Sequence, residues 1–338
     1  MNDNLSRTSP LKKILRSQAF TLLIMLVLLI VVFSFTAKLN NATFFKMKTL
    51  ISIMQDLAVP GFLAIGAGCL ILSGGIDISV SAVGAMSGVI LSVGISWWGI
   101  PWYLAVLIAI AFGAIVGFLN ATFVNELGMQ PFIATLAMMS IIRALMIVFS
   151  TKADGSMIAN INFKCDPLDR ILNWEVGGVV PGMVIVVLLA FLIYGILLKC
   201  TKFGREVYML GGNPVCAKLC GVNARRVSYT LYINCSVLGA ISGIIYATRS
   251  MQGSLTALSG DQFTGLTAAI LGGISFMGGS GGMGGTLIGL LVLKTFNKGM
   301  LISGGSTYLT SVLSGVLLIL ALTLDVFSRR RQRKRLGV

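Results

Sequence analysis

The sequence predicts an all-α, polytopic membrane protein of about ten transmembrane helices with both termini in the cytoplasm. Three observations predict it. Of 338 residues, 56% are hydrophobic and 11% charged, with 40 glycines and no histidine, which is far from the make-up of an average soluble domain. Apolar runs approaching the ~20 residues that a helix needs to cross a bilayer recur along the chain. The positive charge is also localised, because sixteen of the 26 lysines and arginines lie up to Arg16, within Lys199–Arg226, or within Arg329–Arg335. Short basic segments abutting apolar runs are the mark of cytoplasmic loops, so these three places face the cytoplasm. A net charge of +15 on a soluble chain points to nucleic acid, but no basic domain interleaved with aromatics is present to bind it. The lipid membrane is the expected partner instead.

Residues 1–18 form a cytoplasmic N-terminal segment, and 19–198 the first half of the bundle. Its expected spans are Ala19–Thr36, Leu50–Leu72, Val80–Ile95, Leu104–Leu119, Phe132–Ser150 and Val179–Leu198. Ala19–Thr36 is read as a retained span, because AKLNNATFF after it is a poor cleavage site. The lysines of Lys38–Lys48 run against this orientation, but one loop does not outweigh three clusters. Trp97, Trp98, Trp102 and Tyr103 mark an outer interface. Thr151–Gly178 is a polar loop without positive excess, as expected outside. Residues 199–226 are the central cytoplasmic loop. Residues 227–327 hold Val227–Thr248, Gln262–Phe276, Gly284–Ile302 and Tyr308–Phe327, and 328–338 are the basic tail.

Three stretches carry the candidate chemistry. In SGGIDIS, Ser73–Ser79, two glycines break a helix and Asp77 with Ser79 can cap the next one. An acid among apolar residues is costly in lipid, so Asp77 is expected to face a cavity or to pair with a cation such as Arg143. The stretch is either a polar lining for a hydroxyl-rich solute or a cap that never meets one. GGISFMGGSGGMGG, Gly272–Gly285, lacks the Lys-Ser/Thr of a phosphate loop, so the chain is expected to have no ATP site of its own. Close packing and tight turns are the expected role of these glycines. CLILSGGIDIS and AAILGGISFMGG are also alike, which is either an internal repeat or chance likeness in a glycine-rich chain. The third stretch, GREVYMLGGNPVCAKLCGVNARRV, predicts a Gly-Gly break and then a small helix with Asn213 as cap and Pro214 in its first turn. That helix either docks in a groove of another protein or lies on the lipid surface. Lys294 and Lys298, one turn apart in a predicted span, must face the bundle interior or an aqueous path. The six cysteines organise nothing, and Cys216 with Cys220 has no further ligand nearby for zinc. No metal and no cofactor are expected.

Together SGGIDIS, GREVYMLGGNPVCAKLCGVN and AAILGGISFMGGSGGMGGTLIGLLVL, in that order, resemble the ribose-type permeases of sugar-importing ABC transporters, from about Leu50 onward. Ser81, Cys216 and Cys220 depart from the residues usual in that family. The resemblance implies a non-enzymatic subunit of the bacterial inner membrane, forming the path for a monosaccharide or similar polar solute. Its implied partners are an ATP-hydrolysing subunit, an extracytoplasmic solute-binding protein and a second permease chain, identical or related. It places the coupling to the ATPase at Gly204, Arg205, Gly211, Gly212, Asn213, Ala217 and Gly221. It places the candidate path at the break from Ser73 to Ser79, with Ser73, Gly74, Gly75, Asp77 and Ser79, to which the charge reading above adds Arg143. An ion-gradient-driven secondary transporter is the rival from another class, and ABC permeases for nucleosides or branched-chain amino acids are rivals within it.

Overall fold

The computed structural model describes residues 18–39, 43–176 and 180–323, apart from 307, 311, 314 and 321. The basic N-terminal segment and the basic tail lie outside the described residues. The chain is an all-α polytopic membrane protein. Among the described residues, six helices are long and apolar enough to cross a membrane, or seven if one bent pair counts as a single span.

In order the helices are α1 (Gln18–Leu39), α2 (Met47–Gln55), α3 (Ala58–Leu72), α4 (Val80–Ser96), α5 (Trp102–Asn125) and α6 (Pro131–Phe149). Then come α7 (Asp166–Leu172), α8 (Gly182–Cys200), α9 (Lys202–Gly212), α10 (Pro214–Leu219), α11 (Ala224–Ser250), α12 (Asp261–Leu271) and α13 (Met283–Ile302). A shorter apolar helix, Tyr308–Leu320, follows. The predicted span Leu50–Leu72 is in fact the bent pair, α2 and α3, which meet at 45°. Pro60 is the physical reason, since the N–H it lacks is the one that would have bonded the carbonyl of Asp56, where the helix breaks. The predicted span Gln262–Phe276 is likewise shorter, and its helix α12 has only 11 residues.

Helix α11 is the centre of the bundle, packed against α3, α4 and α5. Small residues let it do so. A Cβ at Gly243 would clash with the Gly84 carbonyl oxygen, and one at Gly113 would stand 2.9 Å from the Ser236 carbonyl oxygen. Between transmembrane helices, such backbone approach replaces the hydrophobic drive that lipid removes. The outer helices differ, because α1, α5, α6 and α8 expose long apolar faces, with Val31, Leu107, Val148 and Ile193 all turned outward. α1 is held by an aromatic cluster with α13, where Phe33 meets Phe296 edge-on at 5.9 Å.

The polar loop after α6 is itself structured. Its strand β1 (Asn160–Asn162) pairs antiparallel with β4 (Gln252–Ser254), after α11, while β2 (Glu175–Val176) pairs with β3 (Val180–Pro181). Gly253 of β4 lies against Gly88 and Ser92 of α4, so non-helical backbone enters the bundle. Such backbone is tolerated at depth only where protein surrounds it, and Ile161, Phe163 and Ser254 are all buried here. Two non-glycine residues in left-handed conformation, Met251 and Leu258, with φ of 50° and 54°, bracket the inserted segment.

Candidate functional site

The three stretches singled out from the sequence meet at one end of the bundle. α3 ends at Ser73 with Gly74 at φ 86°. There the Gly74 N–H donates to Ile71 O at 2.8 Å and the Gly75 N–H to Leu70 O at 3.0 Å. α12 ends in the same way, with Gly273 at φ 94°, its N–H donating to Ile270 O and that of Ile274 to Ala269 O, both at 2.9 Å. Both are Schellman caps, which require a left-handed residue that glycine adopts without strain. The likeness of CLILSGGIDIS to AAILGGISFMGG is therefore structural, and α3 and α12 pack side by side.

The central loop closes this junction. The Gly279 N–H donates to Leu72 O at 2.9 Å. A Cβ at Gly211 would collide with that same Leu72 oxygen, and one at Gly278 would stand 3.0 Å from both the Gly211 Cα and the Gly74 nitrogen. Tyr208 Oη donates to Gly281 O at 2.8 Å. The C-terminal end of α9, where the chain turns into α10, is thus seated on both helix breaks. Glycines 272–285 serve close packing and turning, as the sequence suggested.

Within the hairpin, Thr201 caps α9 by accepting from the Gly204 N–H at 3.1 Å, and a Cβ at Gly204 would clash with Leu198 O. Asn213 caps α10, its Oδ1 accepting from the N–H groups of Val215 and Cys216 at 3.0 and 3.1 Å, with Pro214 in the first turn as expected. Ala217 is buried, Arg205 and Gly221 are exposed, and Gly221 has φ 79°. A Cβ at Gly212 would point into open space. The outer side of α10 is apolar and bare, with Val215 69% and Leu219 83% exposed. Beside it, Arg225 is bonded to Glu126 and holds that carboxyl below the usual carboxylate range.

Asp77 is not paired with Arg143. Its Oδ1 accepts from Ser79 N at 2.8 Å and Ser79 Oγ at 2.6 Å, and its Oδ2 from Ser236 Oγ at 3.3 Å and, more weakly, Asn120 Nδ2 at 3.5 Å. It also sits at the N-terminus of α4, where the helix dipole favours a negative charge. The extended backbone between the breaks is satisfied in the same manner, the Ile78 N–H donating to Thr135 Oγ1 at 3.1 Å. Ser73 and Gly75 are half-buried, Gly74 is exposed, and Asp77 and Ser79 are buried. Arg143 is elsewhere, donating through Nη1 to Leu255 O at 3.0 Å and so steadying the inserted segment after β4.

The two lysines of α13 divide. Lys298 donates to Ser52 Oγ at 2.6 Å and pairs with Asp56 at 3.7 Å, beside Arg249 at 3.5 Å from the same carboxylate. Lys294 faces a cavity between α12, α13 and Tyr308–Leu320. The sequence reading passed over Asp261, which shares that cavity. The available signal was an acid directly after Ser259-Gly260 at the head of an apolar run.

A family model described as "Branched-chain amino acid transport system / permease component" matches residues 49–322. The chain is 33% identical over 287 residues to the ribose import permease protein of Bacillus subtilis (strain 168), covering 84% of this chain and 87% of that one. It is 33% identical over 304 residues to the ribose import permease protein of Escherichia coli (strain K12), covering 89% and 92%. To the fructose import permease protein of Rhizobium meliloti it is 32% identical over 317 residues, covering 93% and 87%. No solved structure matches the chain.

Proposed function

The chain belongs to the ABC importer permease family that includes those ribose and fructose permeases, and we propose that it forms the translocation path for a monosaccharide, driven by ATP hydrolysis on a separate subunit. The observation that carries this reading is the α9–α10 hairpin, bare and apolar on the outer side of α10 yet seated through the end of α9 on the ends of α3 and α12. An ATPase gripping Val215 and Leu219 thereby moves both helix breaks at once. ATP binding closes the ATPase pair, displaces the hairpin as a lever, and rocks the bundle between two states.

In this reading Gly204, Gly211, Gly212, Asn213, Ala217 and Gly221 shape the coupling hairpin, with Arg205 on its exposed side. The segment 199–226 is the coupling loop between the bundle halves 19–198 and 227–327. Ser73, Gly74, Gly75, Asp77 and Ser79 form the broken wall of the path, and Arg143 holds the inserted segment against it. A second permease chain completes the path, a solute-binding protein delivers the sugar outside, and the location is the bacterial inner membrane. The chain acts as a transport subunit without an ATP site of its own.

Contacts support the orientation. α1 and α13 run side by side toward one end, where Thr36 Oγ1 and Ser303 Oγ are 3.0 Å apart, and α13 starts at the hairpin end. α1 therefore starts at the hairpin end too, and Tyr308–Leu320 runs back toward it. This supports about ten membrane passes or partial passes, counting the short α4 and α12, with α1 starting and Tyr308–Leu320 ending on the hairpin's side, in keeping with the two cytoplasmic termini of this proposal.

The test is co-purification of the full chain with its ATPase. Leu219→Asp or deletion of Asn213–Gly221 is expected to abolish ATPase recovery while the chain remains membrane-inserted. Undiminished ATPase recovery and uptake in the deletion variant would contradict the coupling role.

A further inference from the structure

The cavity that Lys294 faces holds about 600 Å³ and lies between α12, α13 and Tyr308–Leu320. That is within the range of small-molecule sites, roughly 300–1,000 Å³. It lies at depth, because Lys294 falls just past the middle of α13, and α12 runs beside α3 from Asp261 to the shared cap, with Gly265 against Leu63 and Ala64. Its walls are not those of a lipid crevice. Ser259, Asp261, Thr264, Lys294 and Asn297 contribute polar groups, and Phe263, 45% exposed, adds an aromatic face.

Asp261 and Lys294 make no ion pair among the described residues. Every other charged group discussed inside the bundle is bonded, namely Asp77 to its donors, Arg143 to Leu255 O and Lys298 to Asp56. An ionisable side chain left unpaired at membrane depth is tolerable only where water or a polar solute reaches it. Two of opposite sign on one cavity make the same demand twice.

We propose that this cavity is the solute-contacting part of the chain's path, taking a hydroxyl-rich, uncharged solute. Resting on the importer reading, it assigns the Asp261 carboxylate to accept from solute hydroxyls, the Lys294 ammonium to donate to solute oxygens, and the Phe263 ring to cover the apolar C–H face. Opposite charges on one cavity suit a neutral polyol, whose hydroxyls both donate and accept. The two helix breaks then position the cavity from below, since α12 ends in one of them.

The experiment uses the full chain with its ATPase and solute-binding protein in proteoliposomes, with radiolabelled pentoses and hexoses. Asp261→Asn and Lys294→Gln are expected to cut ATP-driven uptake by about tenfold or more while thermal stability stays near that of the parent, since neither side chain has an ion pair to lose among the described residues. In parallel, Thr264→Cys and Ser242→Cys are placed in a background with Cys200, Cys216 and Cys220 replaced by serine. A membrane-impermeant, charged methanethiosulfonate is expected to label Thr264→Cys, more slowly with the transported sugar present, and to spare buried Ser242→Cys. Uptake unchanged in both charge variants overturns the proposal, as does lost uptake with Thr264→Cys unreactive. A parent chain that shows no ATP-driven uptake, with Thr264→Cys labelled, overturns the importer reading and with it the solute, while the hydrated cavity stands.

Discussion

Asp77 and Asp261 are both acids among transmembrane helices, and they differ in what surrounds them. Asp77 begins at a helix break and is closed in by its own chain, with Ser79, Ser236 and Asn120 all donating to it. Asp261 begins a helix too, yet its carboxylate faces a cavity with an equally unpaired Lys294 across the same space. The first acid satisfies the backbone and hydroxyls that fix a fold. The second has the helix N-terminus but no ion-pair partner among the described residues, so its retention at depth is accounted for by what passes beside it. Charge alone does not separate these roles, whereas the count of donors does.

The largest test of that contrast is Asp77→Leu. It strands several buried donors in a dry interior, each costing about 1–3 kcal/mol when left unsatisfied. Folded chain recovered from membranes is expected to collapse, as read by thermal unfolding in detergent; a stable Asp77→Leu protein would erase the distinction from the structural side. Next comes the Asp261→Asn, Lys294→Gln double variant, which is expected to fold like the parent and to lose about 90% or more of sugar uptake, in keeping with removal of groups that act only on solute. A marked drop in its unfolding temperature would move Asp261 into the same class as Asp77. Ser236→Ala is smaller, removing one long hydrogen bond of 3.3 Å at a cost of about 0.5–1.5 kcal/mol, measurable as a modest shift in the same unfolding curve with uptake retained.

The smallest effect is at the exposed pair Glu126–Arg225. Arg225 depresses the Glu126 carboxyl in the folded state, so the pair's contribution is present above the ordinary value of 4.5 and is lost as pH falls below it. The unfolding temperatures of the parent and Glu126→Gln should therefore differ slightly at neutral pH and converge in acid. A difference that persists in acid would mean Glu126 acts through something other than its charge.

Much of this was legible in the sequence because bilayer physics writes it there in long apolar runs. α5, α6, α8, α11 and α13 lie where those runs predict, and Asn213-Pro214 announced its helix through cap chemistry alone. The bend at Asp56 was not read, although Pro60 carried the signal four residues later. The β1–β4 ribbon was not legible, because three residues pairing across some ninety positions leave no periodic trace. The Asp77–Arg143 pairing failed for a related reason. Charge opposition in sequence says nothing of distance, and the donors that won, Ser79, Asn120 and Ser236, are ordinary small polar residues. Lys294 stood out as an unplaced charge, but its companion Asp261 needed the fold to bring α12 against α13.

The most direct measurement is sugar uptake by proteoliposomes holding this chain, its ATPase and a loaded solute-binding protein, with ATP and ion gradients supplied separately. Uptake that requires ATP hydrolysis, ignores the ion gradient and disappears with deletion of Asn213–Gly221 is the predicted result. Uptake by the chain alone under an ion gradient, without ATP, would contradict the account and make the hairpin a linker.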